Sequence, residues 1–152
     1  MGKNLVDPDR YYSLISRQAK KLDYLERHLL AVLEECAAQL PPAPSQQSIA
    51  RWLREKGVPT SGHLDSKSNW VPQTVQDFIF VDGSEPDERT PWQAPSRHDG
   101  FLITATRMFD RCGPMIRQID KDRYIYEQRR LEGHLDRIRS VGAKLRRLFP
   151  KL

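Results

Sequence analysis

An all-α fold is predicted by three features of the sequence. Apolar side chains recur at alternating steps of four and three residues toward both ends of the chain. Proline and glycine clusters punctuate the periodic segments. The composition, 38% hydrophobic and 30% charged, suits long helices that each bury one stripe better than one large core. The expected architecture is a pair of long N- and C-terminal helices, forming a helical hairpin or bundle, with a small helix-turn-helix module between them in sequence. The expected segments are a long N-terminal helix in residues 1–44, the module in 45–80, an acidic Pro/Gly loop in 81–100 and C-terminal helices in 101–152.

The first helix begins after a loose terminus. Asp7 or Asp9 can cap it, and Pro8 is tolerated in its first turn. Tyr11, Ile15, Leu22, Leu25, Leu29, Val32 and Cys36 form its stripe, Gln18 breaks the series, and Leu14, Leu30, Leu33 and Leu40 widen it. A stripe from Tyr11 to Leu40 implies about 45 Å of helix at 1.5 Å per residue, which needs a partner helix. The Pro41-Pro42-Ala43-Pro44 run stops it and acts as a stiff connector.

Helix, turn and helix signals then coincide. Ser45 is placed to cap a short helix in which Ile49, Trp52 and Leu53 share one face, and Gly57 stands where a left-handed residue would end it. Pro72 suits the first position of a second helix whose inward stripe is Val75, Phe78 and Ile79. Gln73, Thr74, Gln76 and Asp77 then face outward. Glutamine can read an adenine edge, and threonine can meet a phosphate or a thymine methyl. Trp52 and Trp70 are expected in the core of the module rather than as stacking platforms.

Ile49-Ala50, Leu53, Gly57-Val58-Pro59-Thr60, Trp70, Val75 and Phe78-Ile79 resemble the DNA-binding segment that follows the catalytic domain in large serine recombinases. The likeness covers residues 45–79, about a quarter of the chain. The loop from Ser61 to Asn69 is longer and more polar than the family pattern, the residues before Ser45 are too few for the catalytic domain, and no zinc-ribbon cysteines follow Ile79. What the resemblance implies is a double-stranded-DNA-binding module without recombinase chemistry.

The remaining segments are read from local chemistry. Gly83, Pro86, Pro91 and Pro95 mark a surface loop that Trp92 would pin. Phe101, Leu102, Ile103, Ala105, Met108 and Phe109 predict a packed helix ending near Cys112-Gly113, after which Pro114 opens a last helix or kinks a continuous one. Met115, Ile119, Tyr126, Leu131, Leu135, Ile138, Val141, Leu145 and Leu148 make the final stripe, interrupted by charge from Asp120 to Arg123. This last helix is the expected antiparallel or intersubunit partner of the first.

Charge is unevenly spread. The chain carries 25 basic and 20 acidic residues, a net +5, and residues 101–152 alone hold thirteen basic against six acidic. Arg51, Arg54 and Lys67 in the module, and Arg137, Arg139, Lys144, Arg146 and Arg147 near the C-terminus, are the candidate phosphate contacts, beside Gln73, Thr74 and Gln76. A solvated helix face explains the C-terminal cations equally well.

No nucleophile motif, phosphate-cradling loop or metal-ligand spacing is present, so neither an enzyme nor a cofactor or metal is expected. His28, His63, His98 and His134 are isolated, and His28 and His134 are placed as helix-face residues. Cys36 and Cys112 are expected as buried, reduced thiols of a cytoplasmic protein, and no segment predicts a membrane span. The expectation is a non-catalytic DNA-binding regulator or accessory factor of a mobile element, dimeric through its long helices. The rival is a helical protein-interaction module, or an inhibitor of a nucleic-acid enzyme, in which the middle module is structural.

Overall fold

The computed structural model describes residues 7–60, 69–83 and 100–152. Every element among them is helical: α1 (Pro8–Tyr24), a π-helical turn (Leu25–Leu29), α2 (Leu30–Gln39), α3 (Gln46–Glu55), α4 (Pro72–Ile79), α5 (Phe101–Ile119) and α6 (Lys121–Leu148). The all-α expectation holds. The helices form two compact units, and each draws on both ends of the chain: residues 1–19 with 82–140, and residues 20–81 with 141–152.

In the first unit, α1 is started by Asp7, whose Oδ1 accepts the Asp9 amide at 2.9 Å. Tyr11 and Ile15 then pack with Ala105, Phe109, Cys112 and Ile116 of α5 and Leu131 of α6. Contact order along the helices gives their direction. Tyr12 meets Arg123, and six residues on Gln18 meets His134, so α1 and α6 run parallel. Tyr11 meets Phe109 while Gln18 meets the Phe101 carbonyl, so α5 runs against both. The terminal helices do pair, but side by side in the same direction, with α5 as the antiparallel member between them in sequence. A long α5 makes this possible by returning the chain to the end at which α1 starts.

Of the two readings at Pro114, the helix that continues through it is the one observed, with its break later at Asp120. Gly113 does not end α5, which runs through Pro114 to Ile119. Proline cannot donate the hydrogen bond of its turn, at a cost usually near 3 kcal/mol. Here the packing of Phe109, Cys112 and Ile116 on either side holds the helix together. Gly113 matters for proximity: a Cβ there would lie 3.2 Å from the Tyr124 ring, so glycine lets α6 approach. The real break is Asp120, extended at φ −158° and ψ 110°. Its Oδ1 accepts the amides of Asp122 at 3.0 Å and Arg123 at 3.3 Å, starting α6. The charged stretch read as an interruption is therefore a helix cap.

The stripe of α6 shifts accordingly. Ile119 and Tyr126, expected to face inward, are exposed, whereas Glu127 and His134 are buried with Leu131, Ile138, Val141 and Leu145. His134 is thus a core residue and not a face residue. On the N-terminal helix, Gln18 is buried too, and it is the hydrogen-bond partner of His134 at 2.8 Å. The π-helical turn, closed by the Leu30 amide on the Leu25 carbonyl, inserts one residue into the helix. Beyond it the buried position is Leu33 instead of Val32. Tyr11, Ile15, Leu22, Leu25, Leu29, Leu33 and Cys36 are all buried within the chain itself.

The second unit contains α2, α3 and α4. Ser45 Oγ accepts the Ser48 amide at 3.1 Å and starts α3. Gly57, at φ +67°, ends it, with the Gly57 amide on the Arg54 carbonyl and the Val58 amide on the Leu53 carbonyl, each at 3.0 Å. That pair of bonds is the left-handed helix termination that glycine favours. Pro72 stands in the first turn of α4, whose Val75, Phe78 and Ile79 are buried. Trp52 and Trp70 are core residues, as expected from the sequence.

Candidate nucleic-acid interface

The module is held by polar bonds as well as by burial. Trp70 donates its indole N–H to the Val58 carbonyl at 2.8 Å, and Arg54 donates Nη1 to the Trp70 carbonyl at 2.7 Å. Tyr24 donates its hydroxyl to the Pro59 carbonyl. The two Trp70 bonds join α3 and the chain after it to the chain before α4, and the Tyr24 bond ties α1 to the chain after α3. Trp52 donates to Gln39 Oε1 at 3.1 Å, tying α3 to α2, and the Trp70 and Phe78 rings are tilted at 5.2 Å. A buried indole needs such an acceptor.

This leaves α4 with one buried and one outward face. Gln73 and Gln76 are exposed and Thr74 is half-buried, its Oγ1 at 3.5 Å from the Asn69 carbonyl. Gln73 donates Nε2 to Asp77 Oδ1 at 2.9 Å. A carboxylate only accepts, so the bond sets the amide with Oε1 and its second N–H directed elsewhere. The four-residue spacing of Gln73 and Asp77 was a legible signal of that pair.

Of the candidate phosphate contacts, Arg51 is exposed on α3 and Lys144 and Arg147 are exposed on α6; Arg146 is half-buried. All four belong to the unit that holds α3 and α4. Arg54 is exposed but holds the Trp70 carbonyl, so part of its donor set is already used. Arg137 and Arg139 lie in the other unit, Arg137 half-buried and Arg139 bridged to Asp136 at 3.2 Å on the surface. Arg137, Arg139, Lys144, Arg146 and Arg147 all stand on the one helix α6. Lys67, His63, His98 and Trp92 lie outside the described residues.

Cys36 and Cys112 are free and buried. Burial pushes the Cys36 thiol up to about 11 and raises that of Cys112 as well, so neither is a thiolate at neutral pH. No cluster of three His, Cys, Asp or Glu side chains able to hold a metal ion occurs among the described residues. No helix among them is long and apolar enough to cross a membrane.

The described residues define an all-α protein in which one unit packs α1, α5 and α6 and the other holds α2, α3 and α4 with two buried tryptophans. No protein-family model matches the chain, and no solved structure matches it.

Proposed function

We propose that the protein is a non-catalytic, cytoplasmic double-stranded-DNA-binding factor that reads DNA with α4, acting as a regulator or as an accessory factor of a mobile element. The observation that carries the reading is the split character of α4: Val75, Phe78 and Ile79 are buried, while Gln73 and Gln76 stand outward. A helix so presented can enter a major groove, its glutamines meeting base edges. Arg51, Lys144 and Arg147, exposed in the same unit, supply phosphate contacts. The likeness of residues 45–79 to the recombinase DNA-binding segment supports the same reading.

One observation favours a second reading, a protein-interaction module. Asp77 sits among the outward side chains of α4 and is bonded to Gln73, and a carboxylate on that face repels phosphate. Gel-shift titration of the full chain against a pool of random duplexes distinguishes the two. Retarded complexes, lost when Gln73, Thr74 and Gln76 are all changed to Ala, support DNA reading by α4. Loss only in the Lys144→Ala/Arg147→Ala variant would reduce the function to nonspecific charge, and no retarded complex would favour the protein partner.

A further inference from the structure

The corner between α5 and α6 carries a feature that DNA binding does not use. Among the described residues only four large hydrophobic side chains are exposed: Val71 (45%), Ile119 (74%), Ile125 (47%) and Tyr126 (57%). Three of these four fall between positions 119 and 126. Scattered apolar residues are ordinary on a surface, but three exposed within eight residues of one helix-helix turn make that turn a candidate contact surface.

The corner is pre-organised. Asp120 caps α6 through Asp122 and Arg123, fixing the turn. The Arg123 guanidinium lies 5.5 Å from the Tyr12 ring and 5.4 Å from the Tyr126 ring, and 3.0 Å from Glu127 Oε1. Tyr126 is thereby held outward at little further entropic cost on binding, and tyrosine and arginine are both enriched among the residues that carry interface energy.

Beside this ridge lies a groove of about 430 Å³ whose apolar lining includes Pro8, Tyr12, Met115 and Ile116, with Ile119 at its edge. Protrusion and receiving groove thus adjoin on one surface. Both signs are present in the same way: Asp7, Asp9, Asp120 and Arg123 line the groove, and Arg117 and Lys121 flank the corner. A two-fold contact brings a patch against itself, so it requires both shapes and both signs side by side. A one-signed partner would be opposed by half of these charges.

We propose that two copies of this chain associate across the α5–α6 corner, Ile119 of each seated in the groove of the other. The long N-terminal stripe is not the contact, because it is buried within its own chain. The proposal does not depend on DNA binding.

Sedimentation equilibrium of the full chain over a wide concentration range tests it. The unmodified protein is expected at twice its 17.7 kDa mass. Ile119→Asp/Tyr126→Ser should sediment as a monomer, or dissociate at least ~10-fold more readily, with an unchanged circular dichroism spectrum and melting temperature, since both residues are exposed in the single chain. Val71→Asp, in the other unit, should leave the dimer intact. A monomer at every concentration, a dimer indifferent to Ile119→Asp/Tyr126→Ser, or a dimer dissolved by Val71→Asp overturns the proposal. A monomer that still retards DNA would do so while leaving the DNA reading in place.

Discussion

His134 of α6 and Gln18 of α1 are joined at 2.8 Å inside the three-helix unit, both buried. Gln18 also donates Nε2 to the Phe101 carbonyl at 3.4 Å, the first residue of α5, so one side chain links all three helices. With its amide nitrogen so used, Gln18 offers Oε1, and His134 is the donor through Nε2–H. Removing one partner leaves a buried polar group unsatisfied. Gln18→Leu is therefore expected to destabilise the protein by about 1–3 kcal/mol. The double variant Gln18→Leu/His134→Leu should recover part of that loss in urea denaturation.

Stability should also fall with acidification. Burial, and then the positive charges of Arg137 and Arg130, lower the pKa of His134 from its ordinary value. The folded protein thus binds a proton here less readily than the unfolded chain. The contribution is complete above the unfolded pKa of about 6.5 and is lost as pH drops below it toward the folded value. Denaturation midpoints measured from pH 7.5 down to pH 5 should decline, and His134→Gln should flatten part of the decline.

Tyr11 makes the opposite case. Its hydroxyl is buried without a hydrogen-bond partner among the described residues, and burial, followed by the nearby Glu127 charge, pushes its pKa above the usual tyrosine range. Glu127 itself is buried with Arg123 at 3.0 Å and Arg130 at 3.7 Å, approaches that lack hydrogen-bond geometry and hold it by charge. Tyr11→Phe removes an unsatisfied group while keeping the ring edge-on to Phe109 at 5.5 Å. It is expected to be neutral or stabilising by up to about 1 kcal/mol, readable in thermal melts. A loss of more than that would mean the hydroxyl has a partner.

Gly57 is needed for its backbone angle and not for space. Nothing lies within 4 Å of a Cβ built there, yet its φ is +67°. Gly57→Ala should cost about 1 kcal/mol, a melting shift of ~2–4 °C, and Gly57→Asn less.

What was legible in the sequence is what local chemistry determines. Ser45, Gly57 and Pro72 announce the bounds of α3 and α4 because a cap, a left-handed residue and a missing amide act within one turn. Periodicity found Leu131, Ile138, Val141 and Leu145 for the same reason. It failed where burial is polar. Gln18 and His134 occupy core positions because they satisfy each other across helices, and Glu127 because the charges of Arg123 and Arg130 accompany it, and hydrophobicity alone carries no trace of that. Tyr126 misled because the helix break lies at Asp120, so the phase carried from Met115 does not continue into α6, and Ile119, the last residue of α5, lies beyond the buried Cys112 and Ile116. The outward face of α4 and the Gln73–Asp77 spacing were readable, but the bond by which Arg54 spends part of its donor set on the Trp70 carbonyl depends on the folded arrangement.

The central claim is that α4 reads DNA. Fluorescence anisotropy of a labelled duplex, selected from a random pool and titrated with the full chain at several salt concentrations, tests it most directly. The account expects binding that weakens as salt rises. At fixed salt, changing Gln73 and Gln76 to Ala should bring affinity for the selected duplex down to that for a scrambled one. Equal affinity of the unmodified protein for selected and scrambled duplexes, or no binding at low salt, would contradict it.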